Sequence, residues 1–366
     1  MKRSITRRLG MAAVWATTVL VAEACTAQAL NLLIDPTSGS VALHNPSFSV
    51  KPALDGYTIQ SFAGSLSPGG LNGLAAHGFS GWQSVGPSTT VLSELNLSSS
   101  LALRIGGTYG LGSAFTPSSL QDVLFAYSSP GSPNVIGNAP VIYTNVVQLR
   151  VIALLNNGGA TIASTAASIV NGMSASTSID GYTISSVSGS LSTAGFNGFA
   201  GRGVSGWQSI APSANSVSEL NLNSSTTLSA ANGVQVLGGV FASGAAQDLA
   251  FTYTIPSSTS VFSGPVIYKA QLAGDVNEDG VVNIFDINLI SSNWSTAGPT
   301  GDGNYDGVVN IFDINFVSSN WNNTLGPGNG GGAIAPVPEP ATWALMAIGF
   351  VLLCARDRRR RRIHAR

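Results

Sequence analysis

Residues 275–286 read Asp-Val-Asn-Glu-Asp-Gly-Val-Val-Asn-Ile-Phe-Asp, and residues 302–313 read Asp-Gly-Asn-Tyr-Asp-Gly-Val-Val-Asn-Ile-Phe-Asp. In each twelve-residue run, oxygen-bearing side chains occupy positions 1, 3, 5, 9 and 12. These are Asp275, Asn277, Asp279, Asn283 and Asp286, then Asp302, Asn304, Asp306, Asn310 and Asp313. Gly280 and Gly307 stand at position 6, where the chain must turn sharply, and the carbonyls of Val281 and Val308 fall at position 7. Every donor is a hard oxygen, which suits Ca2+, a cation that takes six to eight oxygens at flexible geometry. Two copies of the run predict two calcium ions.

A short amphipathic helix is expected after each loop. Ile287, Ile290 and Trp294 share one helical face at i, i+3, i+7 spacing, as do Ile314, Val317 and Trp321, and the tryptophans are expected to anchor a small core. No comparable helical pattern precedes either loop. A duplicated loop with only an exiting helix resembles a dockerin module over residues 275–322, within a module bounded at 274–323. The resemblance implies a calcium-folded docking module whose partner is a cohesin-like domain. It also implies that loop positions 10 and 11 help to choose that partner. Here those positions are Ile284-Phe285 and Ile311-Phe312, where the best-known dockerins carry small hydroxyl residues, and Ser291-Ser292 stand where they carry basic ones.

The two ends address the chain. Lys2, Arg3, Arg7 and Arg8 precede an apolar run from Leu9 to Val21 and then Ala27-Gln28-Ala29, the order of a signal peptide over residues 1–29. At the other end Val337-Pro338-Glu339-Pro340 leads into an apolar stretch, a transmembrane helix expected over 341–355, and then Arg356 and Arg358 to Arg362. This order resembles the PEP-CTERM sorting signal over residues 337–362, within a tail of residues 337–366. The resemblance implies recognition and removal of the tail by an exosortase-type enzyme, with delivery to the envelope, cell surface or extracellular matrix. Membrane contact through the tail helix is expected before processing.

Removing 1–29 and 336–366 leaves five Lys+Arg against 14 Asp+Glu, a net charge of about −9, which disfavours nucleic acid as a partner. Cys25 and Cys354 both lie in the removed ends, so no disulfide is expected in the remainder. From Leu30 to Ala273 the chain is rich in Ser, Gly, Thr and Val. Period-two alternation and turn signals such as Asn156-Asn-Gly-Gly159 predict β structure.

That region is a duplication at an offset of 125 or 126 residues. Asp55-Gly-Tyr57 recurs as Asp180-Gly-Tyr182, Gly81-Trp82-Gln83 as Gly206-Trp207-Gln208, and Ser93-Glu94-Leu95 as Ser218-Glu219-Leu220. Gln121-Asp122 matches Gln247-Asp248, and Pro140 to Tyr143 matches Pro265 to Tyr268. His44 and His77 are matched at that offset by Ile169 and Arg202, so no histidine-based triad is duplicated. The paired acids are read as turn residues, solvated strand faces or loop anchors, with carboxylate pairs for glycoside hydrolysis as the rival. Trp82 and Trp207 are read as core aromatics, with sugar-stacking platforms as the rival.

The expected fold is mainly β. Two tandem β-sandwich-like repeats (30–145 and 146–273) precede a small α-helical calcium module (274–323), a Gly/Pro linker (324–336) and the sorting tail (337–366). The expected function is that of an exported, non-enzymatic envelope or matrix protein with a calcium-folded docking module. The rivals are a polysaccharide-binding module and a secreted glycan hydrolase.

Overall fold

A computed structural model describes residues 29–325, apart from 118–119, 132–135, 160, 231–232 and 297–299. The expected signal peptide up to residue 28, nearly all of the linker and the whole sorting tail with its helix lie outside the described residues. Among the described residues no helix is long and apolar enough to cross a membrane.

The described chain is mainly β. In its first part a four-stranded sheet runs in the order Val141–Tyr143, Asn31–Ile34, Val41–His44, Thr108–Gly110. A five-stranded sheet runs Ile136–Ala139, Val123–Ser128, Gly56–Ser61, Val91–Asn96, Trp82–Ser84. Leu32 and Leu43 of the first sheet share one core with Tyr57, Ile59 and Phe125 of the second. Alternation in strands such as Val123–Ser128 sends every second side chain into that core.

The second part repeats the plan. Its four-stranded sheet runs Gly233–Gly238, Ile162–Asn171, Val147–Leu155, Val266–Leu272, and its five-stranded sheet runs Trp207–Ile210, Ser216–Asn221, Gly181–Ser186, Leu249–Thr254, Val261–Gly264. In both parts the entering and leaving strands pair in parallel, Leu32 with Val141 and Leu149 with Val266. Asn45 and Asn171, 126 residues apart, each donate to backbone carbonyls of the loop opposite. By that register His44 is matched by Val170 rather than Ile169, because the offset shifts by one residue in this stretch.

The parts interlock. Phe48 of the first packs edge-on against Phe241 and Tyr268 of the second, at centroid distances of 6.1 and 5.6 Å. Gln247 seals the contact, accepting from the Phe48 amide and donating to the Pro46 carbonyl.

Val147–Leu155 is buried on both faces. One face holds Leu149, Val151, Ala153 and Leu155 in the second core. On the other, Ile152 and Leu154 cluster with Ala273, against which Tyr305 and Phe316 pack. The last two residues belong to the helical segment, so that segment covers the outer face of the second part.

Two helices follow, α1 (Ile284–Ser292) and α2 (Ile311–Ser319). Leu272, Val282, Ile290, Val309 and Val317 form their core. Trp294 and Trp321 do not anchor it. Each helix stops two residues before its tryptophan, at Ser292 or Ser319, and the rings stay 46% and 42% exposed.

Candidate metal centre

Each twelve-residue loop folds around its first and last acids. The Asp275 carboxylate accepts from the amides of Asp279 (3.0 Å) and Gly280 (2.8 Å), and Asp302 accepts from Asp306 (3.0 Å) and Gly307 (2.9 Å). Gly280 and Gly307 have φ of +90° and +92°, a region costly for residues with a Cβ, and this conformation aims their amides inward. Asp286 accepts from Val276, Asn277 and Asn283, and Asp313 from Asn304 and Asn310. All four of these carboxylates are at most 2% exposed.

Positions 3 and 5 touch, with the Asn277 amide donating to Asp279 and the Asn304 amide to Asp306, both at 2.9 Å. Position 9 has a second task. The Asn283 and Asn310 oxygens accept from the Phe285 and Phe312 amides at 2.7 Å, and Asp286 and Asp313 bond back to complete capping boxes. The same asparagines donate to the carbonyls of Val281 and Val308.

The electrostatics of the loops oppose closure without a cation. Burial pushes Asp275 up to about 7; the Gly280 amide opposes this, and the charges of Asp286 and Asp279 add to it. Asp302 is likewise pushed up to about 7 by burial, with Asp313 and Asp306 adding. The Lys269–Glu278 ion pair engages none of these four acids, and Arg202 lies within electrostatic reach of Asp302 in the second loop. A carboxylate oxygen that accepts one N–H keeps a further lone pair for a ligand bond. The donor set therefore fits Ca2+. Acids alone do not complete a site, since among the described residues no three His, Cys, Asp or Glu groups form a metal cluster. The oxygens of Asn277, Asn304, Val281 and Val308 would fill out the shell.

The other paired residues are structural. Trp82 and Trp207 are buried, and Trp207 stacks on Phe199 at 4.4 Å while donating to Thr226. Glu94 and Glu219 are buried rather than on a solvated strand face. Glu94 accepts from the Tyr57 hydroxyl and the Leu74 and Ala75 amides, and Glu219 from Tyr182, Phe199 and Ala200. A Cβ on Gly73 or Gly198 would come within 2.4 Å of these carboxylates, which explains the repeated Asn72-Gly73 and Asn197-Gly198. That repeat in the sequence was a readable sign of the anchor. Asp122 and Asp248 hold serine hydroxyls and one backbone amide each, and Asp55 and Asp180 hold Ser128 and Thr254.

Residues 336–360 match the PEP-CTERM protein-sorting motif. The tail is a PEP-CTERM sorting signal. The protein is thus exported, to the cell envelope or surface. No curated protein is detectably similar in sequence. Among solved structures, the D0-D1 domain of Intimin is 10% identical with a TM-score of 0.24, the match covering 64% of this chain and 94% of that one. The type II cohesin dyad from the adaptor ScaA scaffoldin of Acetivibrio cellulolyticus is 8% identical with a TM-score of 0.20, covering 63% and 88%.

Proposed function

We propose that the chain is a non-enzymatic envelope or matrix protein whose dockerin-like module, at 274–323, folds around two calcium ions and docks a protein partner such as a cohesin-like domain. One arrangement carries the reading. Each loop buries its first and last carboxylates and turns its Ile-Phe pair outward, Ile284 and Phe285 at 51% and 62% exposure, Ile311 and Phe312 at 50% and 63%. Exposed aromatic and aliphatic side chains in pairs are the kind of anchor that carries interface energy.

When bound, the ions supply positive charge that offsets three carboxylates in each loop. Asp275, Asp279 and Asp286 in the first loop, and Asp302, Asp306 and Asp313 in the second, provide the charged oxygens. Asn277, Asn304, Val281 and Val308 provide neutral ones, while Asn283 and Asn310 cap the helices that display the Ile-Phe pairs. The anchoring roles of Glu94, Glu219, Asp122 and Asp248 support the non-enzymatic part of the reading, and burial of both tryptophans supports it over a sugar platform. Exosortase-type removal of the tail is the processing that the sorting signal implies.

The test is binding of a cohesin-domain panel to the chain with calcium present, and to its Phe285→Ser/Phe312→Ser variant. Retention that calcium supports and the double variant loses sustains the docking role. Calcium uptake without retention by any of the panel removes the cohesin-like partner.

A further inference from the structure

The module is joined to the second repeat without a spacer. Strand Val266–Leu272 reaches Asp275 across only Ala273 and Gly274, and its last residue, Leu272, is buried in the module core. Two side chains on one face of that strand reach the two calcium loops. Lys269 pairs with Glu278 of the first loop. Gln271 donates to the Asp275 carbonyl of the first and accepts from the Tyr305 hydroxyl of the second at 2.6 Å.

Glu278 and Tyr305 hold the same place, position 4, in their loops. Both have left-handed backbones, with φ of +61° and +59°. Position 4 supplies no side-chain oxygen to a calcium loop, and here it faces the body instead. The second loop also abuts the body at Gly307, where a Cβ would lie 3.2 Å from the Arg202 guanidinium. Arg202 stands where the first repeat has His77, and only the second repeat bears a module. At the exit, the Thr324 amide donates to Asn157 and its carbonyl accepts from the Gly158 amide. The Leu325 amide then returns to the Gly280 carbonyl of the first loop.

We infer that the calcium loops are also the clamp between module and body, so that loop closure fixes the docking module rigidly on the second repeat. The inference rests on the calcium reading above and adds an intramolecular interface to it. The left-handed turn at position 4 lies beside the amides that Asp275 and Asp302 draw inward, so opening a loop withdraws Glu278 or Tyr305 from the strand. With both withdrawn, the module is held by the Ala273-Gly274 connection, by the Thr324 bonds to Asn157 and Gly158 and by Phe316 packed on the Ile152 and Leu154 cluster. Gly274 in the connection has φ of +88°, a glycine conformation. Calcium occupancy would then decide whether the apolar Ile-Phe pairs are held at a fixed angle to the body or swing free.

Binding and clamping must be reciprocal if they are coupled. Lys269→Met with Tyr305→Phe removes the two position-4 contacts, keeps the Gln271 bond to the Asp275 carbonyl and leaves every proposed ligand in place. In calorimetry on residues 30–335 this double variant is expected to bind two calcium ions about fivefold more weakly than the parent. Spin labels at Ser209→Cys and Ser292→Cys, both exposed positions, report the module angle, and no native cysteine falls within 30–335. The parent is expected to give one narrow distance with calcium and a broad distribution with chelator, and the double variant a broad one throughout. Unchanged calcium affinity in the double variant, or a distance that calcium does not sharpen in the parent, overturns the clamp alone. Absence of calcium uptake in the parent overturns the clamp and the calcium reading together.

Discussion

The Tyr57 hydroxyl donates to the Glu94 carboxylate at 2.6 Å within the first repeat, and Tyr182 and Glu219 form the same pair at 2.7 Å in the second. Each carboxylate also gathers two amides from the loop beneath it, so a short loop is tied to the five-stranded sheet through one buried acid. The carboxylate in turn holds the hydroxyl proton: burial first, and then Glu94 or Glu219, raise both tyrosines far above their usual range.

Glu219→Ala leaves two buried donors, the Tyr182 hydroxyl and the Phe199 amide, and the half-buried Ala200 amide without an acceptor. Each such donor costs about 1–3 kcal/mol. The variant is expected to lose roughly 3 kcal/mol or more, read as a lower denaturant midpoint. An unchanged midpoint would mean that the anchor is dispensable.

Trp82→Ala and Trp207→Ala are each expected to cost about 3–5 kcal/mol, as removal of a buried ring does. Trp207 should be the costlier, because it also loses the stack on Phe199 and the bond to Thr226. Thermal unfolding of the two variants checks both the size and the order.

Much of this architecture could be read in the residues, and the limits have a physical pattern. Asp55-Gly-Tyr57 and its partner Asp180-Gly-Tyr182 announced a duplicated β unit, because turn chemistry and alternation are local. Glu94 was harder: nothing within its own strand says that a loop 20 residues earlier closes over it. Trp294 and Trp321 misled, because their helical spacing extends past the point where Asn293 and Asn320 end the helices. The capping use of Asn283 and Asn310 overlapped a ligand pattern and was hidden by it. The meeting of Lys269 and Gln271 with Glu278 and Tyr305 depends on tertiary packing, which no local period encodes.

Burial lowers the pKa of His44 to about 4, against 6.5 for a free side chain. The unfolded chain therefore binds the extra proton first, so stability is retained above about pH 6.5 and falls as pH drops toward 4. The loss is on the order of 3 kcal/mol, and Val170, at the matching place in the second repeat, adds no such pH dependence. Chemical denaturation at pH 7 and pH 4.5, with and without His44→Val, measures it.

Asp275 and Asp302 give the opposite slope when chelator is present. Their folded pKa values of about 7 lie above the ordinary aspartate value of 3.8, so the folded module holds protons that the unfolded chain has released. Module stability in chelator is expected to fall as pH rises from about 4 to 7. Calcium should flatten that slope, because the ion and the protons compete for the same oxygens. Helical circular dichroism followed across that range, with and without calcium, separates the two cases.

Calorimetric titration of residues 30–335 with calcium, after the chain has been stripped by chelator, tests the central claim most directly. The expected result is two ions per chain with dissociation constants in the millimolar range or tighter. Asp286→Ala should retain one ion, and Asp286→Ala with Asp313→Ala should retain none. No binding by the parent chain, or an unchanged two-ion isotherm in the double variant, would contradict the assignment of these loops as calcium sites.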